Sequence, residues 1–259
     1  NVAEVWNNVT EEFPADLPLF YAVLHLWGLF DHSLFWLRGF SAVCGILLIV
    51  TAYKFVQYLF DRKTALFTAY FVAISPLLVL YSRVLRYYSF NSLFTLLSLY
   101  FFIKLLDDRR TADCLLYIFT AAVSIYANYS AFLFIFAQIV FVIICHRKYA
   151  RSLKIWAICL AASFVLWLPI SRYFIRDFGV LLSVEGFKHV PLKFGWLGNF
   201  LYFFFTFSLG QSVSPFNYPI VAATVGAYGF ALINFFKIYL FKQKNICPEV
   251  IFTALTLLI

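Results

Sequence analysis

Methionine is absent from all 259 residues of this chain, and charge is scarce. Only 12% of the residues are charged, where soluble domains average about 25%. Seven long apolar runs between residues 39 and 240 hold no Asp or Glu, and Lys54 is the single base away from their ends. Ion- and proton-coupled transporters keep ionisable groups along their pathways, so this poverty weighs against that class. The five cysteines are odd in number: Cys44 and Cys159 fall within apolar runs, and Cys114, Cys145 and Cys247 at run ends beside basic loops. No disulfide framework is expected from them. The net charge is +8, yet no basic cluster lies on a soluble module, so nucleic acid is not an expected partner. There is no internal repeat, no dividing linker and no visible signal peptide. The chain opens in mid-loop with NVAEVWNNVT and stops in an apolar run, IFTALTLLI, so both ends read as cut.

What is present is apolar. Hydrophobic residues make up 64% of the chain, and the mean hydropathy is +0.87. Phe and Tyr number 34 and 17, a composition suited to lipid-facing and interfacial surfaces. Apolar segments of membrane-spanning character run over roughly 39–60, 63–81, 89–106, 114–127, 129–145, 155–173 and 219–240, with another starting near 249. The expected fold class is an all-α polytopic integral membrane protein with about seven to eight transmembrane helices.

Sidedness follows from the loops. DRK (61–63), DDRRTAD (107–113), HRKYARSLK (146–154) and the stretch from Lys237 to Lys244 concentrate Lys and Arg, and are read as cytoplasmic. The opposite face carries Arg38, Arg83, Arg86, Arg172, Arg176, Lys188 and Lys193, and Lys54 can snorkel inward. Residues 114–145 would make a single helix of about 48 Å, and basic loops flank both ends, so a hairpin turning at Asn128-Tyr129-Ser130 is expected. FGWLGNFLYFFFTFSL (194–209) spans only about 24 Å as a helix and is read as interfacial or re-entrant. The apolar part of the start, 17–30, is also too short to span, and Asp16 and Pro18 suit a helix entrance. The expected organisation is one membrane domain. It has an outer juxtamembrane segment (1–38), a helical core (39–173), an outer aromatic loop (174–218) and further transmembrane helices (219–259).

The polar chemistry gathers outside, at Glu11, Glu12, Asp16, His25, Arg38, Arg83, Arg86, Tyr87, Tyr88, Arg172 and Arg176. Arg83 and Arg86 are three apart, so on a helical turn they would share a face and could grip a phosphate, lipid headgroups being the plainer occupant. His25 points either to the site or into a hydrogen-bonded interior. Glu11 and Glu12 read as solvated loop charges. No His, Asp and Glu spacing resembles a metal site, although a divalent metal held partly by residues before Asn1 stays open.

Four stretches recur in order: PLFYAVLHLW (18–27), WLRGFSAVCGILLIVTAYKFVQYLF (36–60), AISPLLVLYSRVLRYYSF (73–90) and LLYIFTAAVSIYANYSAF (115–132). Together they resemble bacterial membrane glycosyltransferases of the C-type superfamily, over about residues 14–145. The nearest are family-39-like mannosyltransferases, related to protein O-mannosyltransferases and the lipid A aminoarabinose transferase. Pro18, Leu19, Phe20 and Tyr21 match the family's Pro-Leu-Tyr-Tyr word, with Leu17 in place of its first Pro. Arg38 matches its Arg before a helix, Ser75-Pro76 its Ser-Pro, and Arg86 and Tyr88 its Arg-x-Tyr. Arg83 and Val84 stand where Gln and Glu are usual.

The resemblance implies transfer of a sugar from a polyprenyl-phosphate donor to a glycan, lipid or protein acceptor. The reaction would occur on the outer face of a bacterial inner membrane, among membrane lipids. It implies that Arg86, Tyr88, Arg83, Arg38, Tyr21 and His25 face the substrate. The family's catalytic acidic pair would fall before residue 1, and Asp16, the nearest acid to Pro18, either positions an acceptor hydroxyl or caps the helix. A glycosyl phosphate breaks by building negative charge on the departing phosphate, which guanidinium donors stabilise. A carboxylate on the opposite face takes the acceptor proton, and this arrangement inverts the anomeric carbon. The rival readings are a transporter or flippase of lipid-linked sugars and an inactive lipid-binding homologue.

Overall fold

The computed structural model describes residues 17–171, and among them every regular element is helical. α1 runs Pro18–Gly28, α2 Leu34–Leu59, α3 Arg62–Ile74, α4 Pro76–Arg83, α5 Tyr88–Asp108, α6 Thr111–Ala127, α7 Ala131–Ile144 and α8 His146–Trp167, closed by a 3₁₀ turn at Leu168–Ile170. Three helices, α2, α5 and α8, are long and apolar enough to cross a membrane. The bent pair α3 and α4 makes a fourth candidate, and α6 and α7 are shorter apolar helices. The segments expected at 194–209, 219–240 and beyond 249 lie outside the described residues.

Local chemistry explains where the helices begin. Leu17 is extended ahead of Pro18, whose fixed φ opens α1 without a side-chain cap. Ser33 caps α2 by accepting from Trp36 N (3.3 Å), and Asp31 holds Ser33 by accepting from its N (2.9 Å) and Oγ (2.6 Å). This cap starts α2 before the expected residue 39, so Arg38 lies inside the helix rather than ahead of it. Asp61 caps α3 by accepting from Lys63 N (2.9 Å) and Thr64 N (3.4 Å).

The single crossing expected over 63–81 is instead broken, with a 56° bend between α3 and α4. Pro76 has no N–H to give the preceding turn, and it drives Ser75 into an extended conformation (φ −60°, ψ 118°). The hairpin turn expected at Asn128–Ser130 is present. Asn128 Oδ1 accepts from Ser130 N at 2.8 Å, and the Tyr117 hydroxyl of α6 donates to Gln138 Oε1 of α7 at 2.7 Å. Residues 146–154, expected as a loop, form the start of α8, with a local departure at Tyr149 (φ −106°, ψ 16°). The reason is a buried stripe of Tyr149, Ser152, Trp156, Cys159 and Ser163, spaced alternately three and four, which gives this basic stretch a packed helical face.

α5 is the central helix, packed against α2, α6 and α8. One buried cluster joins Phe55, Phe102, Leu106, Tyr117, Phe141 and Trp156. Apolar burial drives helix association weakly inside lipid, so packing and interhelical hydrogen bonds carry more of it. Here Trp156 Nε1 donates to the Tyr117 hydroxyl (3.3 Å), which in turn donates to Gln138, tying α8, α6 and α7 together.

The charged loops meet at the end of the bundle away from α1. Tyr58 donates to Asp107 (3.1 Å), Lys104 pairs with Asp113 (3.4 Å), and Arg109 Nε donates to Ser152 Oγ (2.8 Å). The Ser152 hydroxyl is spent on the Leu106 carbonyl (2.6 Å) near the α5 terminus, beside Arg109 in the left-handed region (φ 53°).

Candidate functional site

The other end is built on α1. Phe20 and Leu24 of α1 pack with Phe40 and Cys44 of α2, Phe90 and Leu93 of α5 and Ala127 of α6. Tyr21, Leu37, Leu85 and Tyr87 close the rim of the same cluster. The α4–α5 connection, the start of α2 and α1 therefore converge at one end; of the seven candidates Tyr21 packs on the cluster, and His25, Arg38, Arg83, Arg86 and Tyr88 are carried by these same segments. The seventh, Asp16, lies outside the described residues, as do Glu11, Glu12, Arg172 and Arg176; the N-cap position of α1 belongs to Leu17.

Tyr21 is half-buried, its ring edge-on to Phe20 at 5.3 Å. His25 is half-buried in the last turn of α1. Arg38 and Arg83 are exposed, and among the described residues no carboxylate pairs with either. Arg86 is exposed in the connection, with its backbone N donating to Val84 O at 2.9 Å.

Arg83 and Arg86 do not share a helical turn. α4 ends at Arg83, and Val84 is extended (φ −88°, ψ 135°), so the chain turns away between them. What organises the connection is aromatic. Tyr88, the first residue of α5, stacks on Tyr81 of α4 with centroids 4.4 Å apart, and Tyr87 leans on it at 4.7 Å. Two cationic side chains thus flank a tyrosine ladder at the boundary of the apolar bundle. Such an arrangement can meet an oxyanion from two directions and bring a flat apolar or sugar face against the rings.

The ladder partner Tyr81 was not singled out from the sequence, although it directly precedes SRVLRYYSF. Two further contacts at this end also escaped it. Asn91 Nδ2 donates to Ser130 Oγ (3.1 Å), tying α5 to the α6–α7 turn; an Asn in an apolar run was the signal available. Trp27 and Trp36 stack at 4.9 Å and each donates its indole N–H to the other's carbonyl, both at 3.0 Å.

Among the described residues no group of three His, Cys, Asp or Glu side chains is disposed to hold a metal. At the turn into α2, hydrogen bonds from the Ser33 hydroxyl and N hold the Asp31 carboxyl below its ordinary range.

The family model of the dolichyl-phosphate-mannose-protein mannosyltransferases matches residues 18–173, from α1 through α8. The chain belongs to that family. It is a membrane glycosyltransferase of the mannosyltransferase type, and the match carries the resemblance seen over about 14–145 on through α8. No curated protein and no solved structure matches it.

Proposed function

We propose that this mannosyltransferase-family member transfers a sugar from a polyprenyl-phosphate donor to an acceptor on the extracytoplasmic face of the membrane, with inversion. Arg86 and Tyr88 bind the donor headgroup, Arg83 and Arg38 add charge beside it, and Tyr21 and His25 line the approach from α1. Asp16 is proposed to position the acceptor hydroxyl, and 194–209 to cover the prenyl tail within a single membrane domain. The observation that supports the reading is the exposure of Arg83 and Arg86 in the connection that carries the Tyr81–Tyr88 stack, at the end of the bundle built on α1. Guanidinium groups beside aromatic rings at a membrane boundary are suited to an anionic headgroup.

The chemistry asks little of this end beyond electrostatics. As the bond from the anomeric carbon to the phosphate oxygen breaks, charge grows on the phosphate, and one well-aimed donor is worth about 3–4 kcal/mol there. The acceptor's proton goes to a carboxylate on the opposite face of the sugar, worth about 10²–10⁴-fold. The test is a transfer assay on the full-length protein with labelled polyprenyl-phosphate sugars. Transfer by wild type and its loss in Arg86→Ala is the expected result, and undiminished turnover by that variant refutes the phosphate role.

A further inference from the structure

The corner joining α1 to α2 carries the most exposed apolar side chains at this end of the bundle. Phe30 is 83% exposed and Phe35 87%, with Leu29 and Leu34 at 64% and 66%. These residues surround a short polar tip, Asp31-His32-Ser33, whose hydrogen bonds serve the α2 cap. Exposure does not come from looseness. The Trp27–Trp36 pair, stacked with two reciprocal hydrogen bonds, fastens the last turn of α1 to the first turn of α2, and the corner is held as a formed wedge.

Its surroundings say what covers it. Phe35, Ile46 and Val50 of α2 are all exposed and fall within about 60° of one another around the helix axis. That stripe faces outward along a helix long and apolar enough to span, so Phe35 is the upper continuation of a lipid-facing surface. A helix of 26 residues rises about 39 Å against a hydrocarbon core of about 30 Å, which puts the start of α2 at the membrane boundary. Tryptophan pairs belong at that depth, with apolar rings and a polar N–H. On α1 the buried face, Phe20 and Leu24, is turned to the bundle and Leu26 is exposed, as are Leu29 and Phe30 just beyond the helix end.

We infer that the α1–α2 corner is a preformed wedge occupied by phospholipid, with Phe30 and Phe35 seated among the upper acyl chains of the adjoining leaflet. The wedge fixes the depth of α1, and with it the height of Tyr21 and His25 over the membrane. It stands independently of which donor the protein uses.

The test replaces Phe30 or Phe35 by p-benzoylphenylalanine in the full chain, reconstituted in phosphatidylcholine vesicles and irradiated, with adducts read by mass spectrometry. Ile46 on the spanning stripe serves as the lipid reference, and Phe102, which is fully buried, as the protein reference. Phosphatidylcholine adducts at positions 30 and 35 are expected in yields comparable to position 46 and about tenfold or more above position 102. Adducts to protein, whether the rest of the chain or a second copy, overturn the inference. So does an unreacted probe at 30 and 35 while position 46 labels lipid. A protein adduct at 102 in the same preparation confirms that the fold is intact.

Discussion

A side-chain carbon placed on Gly45 would stand 2.9 Å from Cβ of Ser82, closer than packed carbons come. α4 therefore lies directly on the backbone of α2, and the 56° bend at Ser75-Pro76 is what brings it there. Arg83 follows Ser82 immediately, so the seat of the α4–α5 connection is set by the lack of a side chain at one α2 position.

Gly45→Ala tests this seat. Ala is the better helix former by about 1 kcal/mol, so local propensity alone raises stability. Overpacking against Ser82 costs about 1–3 kcal/mol, and the net expectation is a lower thermal midpoint with reduced transfer. Adding Ser82→Gly removes the opposing carbon and should recover transfer. A Gly45→Ala protein as stable and active as wild type would mean that α4 has room to spare.

Arg86→Ala is expected to lower kcat/KM for transfer by about 10²–10³, the loss of one aimed donor, with an unchanged thermal midpoint. Arg83→Ala should cost less. Lys at position 86 should restore only part of the rate, because an ammonium does not reproduce the planar fork. Steady-state kinetics with a prenyl-phosphate sugar separates these outcomes.

Tyr81 acts through Tyr88. Tyr81→Phe keeps the stacked ring and should leave transfer near wild type, whereas Tyr81→Ala removes a stack worth about 0.5–1.5 kcal/mol and frees Tyr88. The expected signature is a rise in donor KM larger than the fall in kcat. An equal effect of Phe and Ala would point to the hydroxyl instead.

Tyr117→Phe leaves Gln138 Oε1 and Trp156 Nε1 without their shared partner in the buried core. A loss of about 1–3 kcal/mol in unfolding free energy is expected. Tyr117→Phe combined with Gln138→Leu should cost less than the sum of the two, since the partners disappear together. Additive losses would show that the chain is not one network.

Asp31 and Asp61 cap turns outside the spanning segments. Hydrogen bonds, chiefly from the Ser33 and Thr64 hydroxyls respectively, hold both carboxyls below the ordinary value of 3.8. A folded-state value below the unfolded one adds stability that is complete above the unfolded value and is lost as pH falls through the folded one. The thermal midpoint should therefore drop on acidification below about pH 4, and Asp61→Asn, which still caps, should flatten that drop. An unchanged acid profile in the Asn variant would assign the titration elsewhere.

Much of this protein could be read along the chain. Apolar run lengths, the shortage of internal charge and the turn at Asn128–Ser130 depend on residues near one another, and each has one physical solution in a bilayer. The words from Pro18 to Tyr88 carried the family as well. What the chain alone left undecided were meetings between distant segments. Pro76 announces a break, but only the Gly45–Ser82 contact decides where the bent helix lands. Arg83 and Arg86 have helical spacing, but the connection that must reach α5 takes Val84 out of the helix. HRKYARSLK looks like a loop until Tyr149 and Ser152 find partners on other helices. Local spacing sets what each segment can form; packing against non-neighbours sets which of those forms persists and which residues share the site.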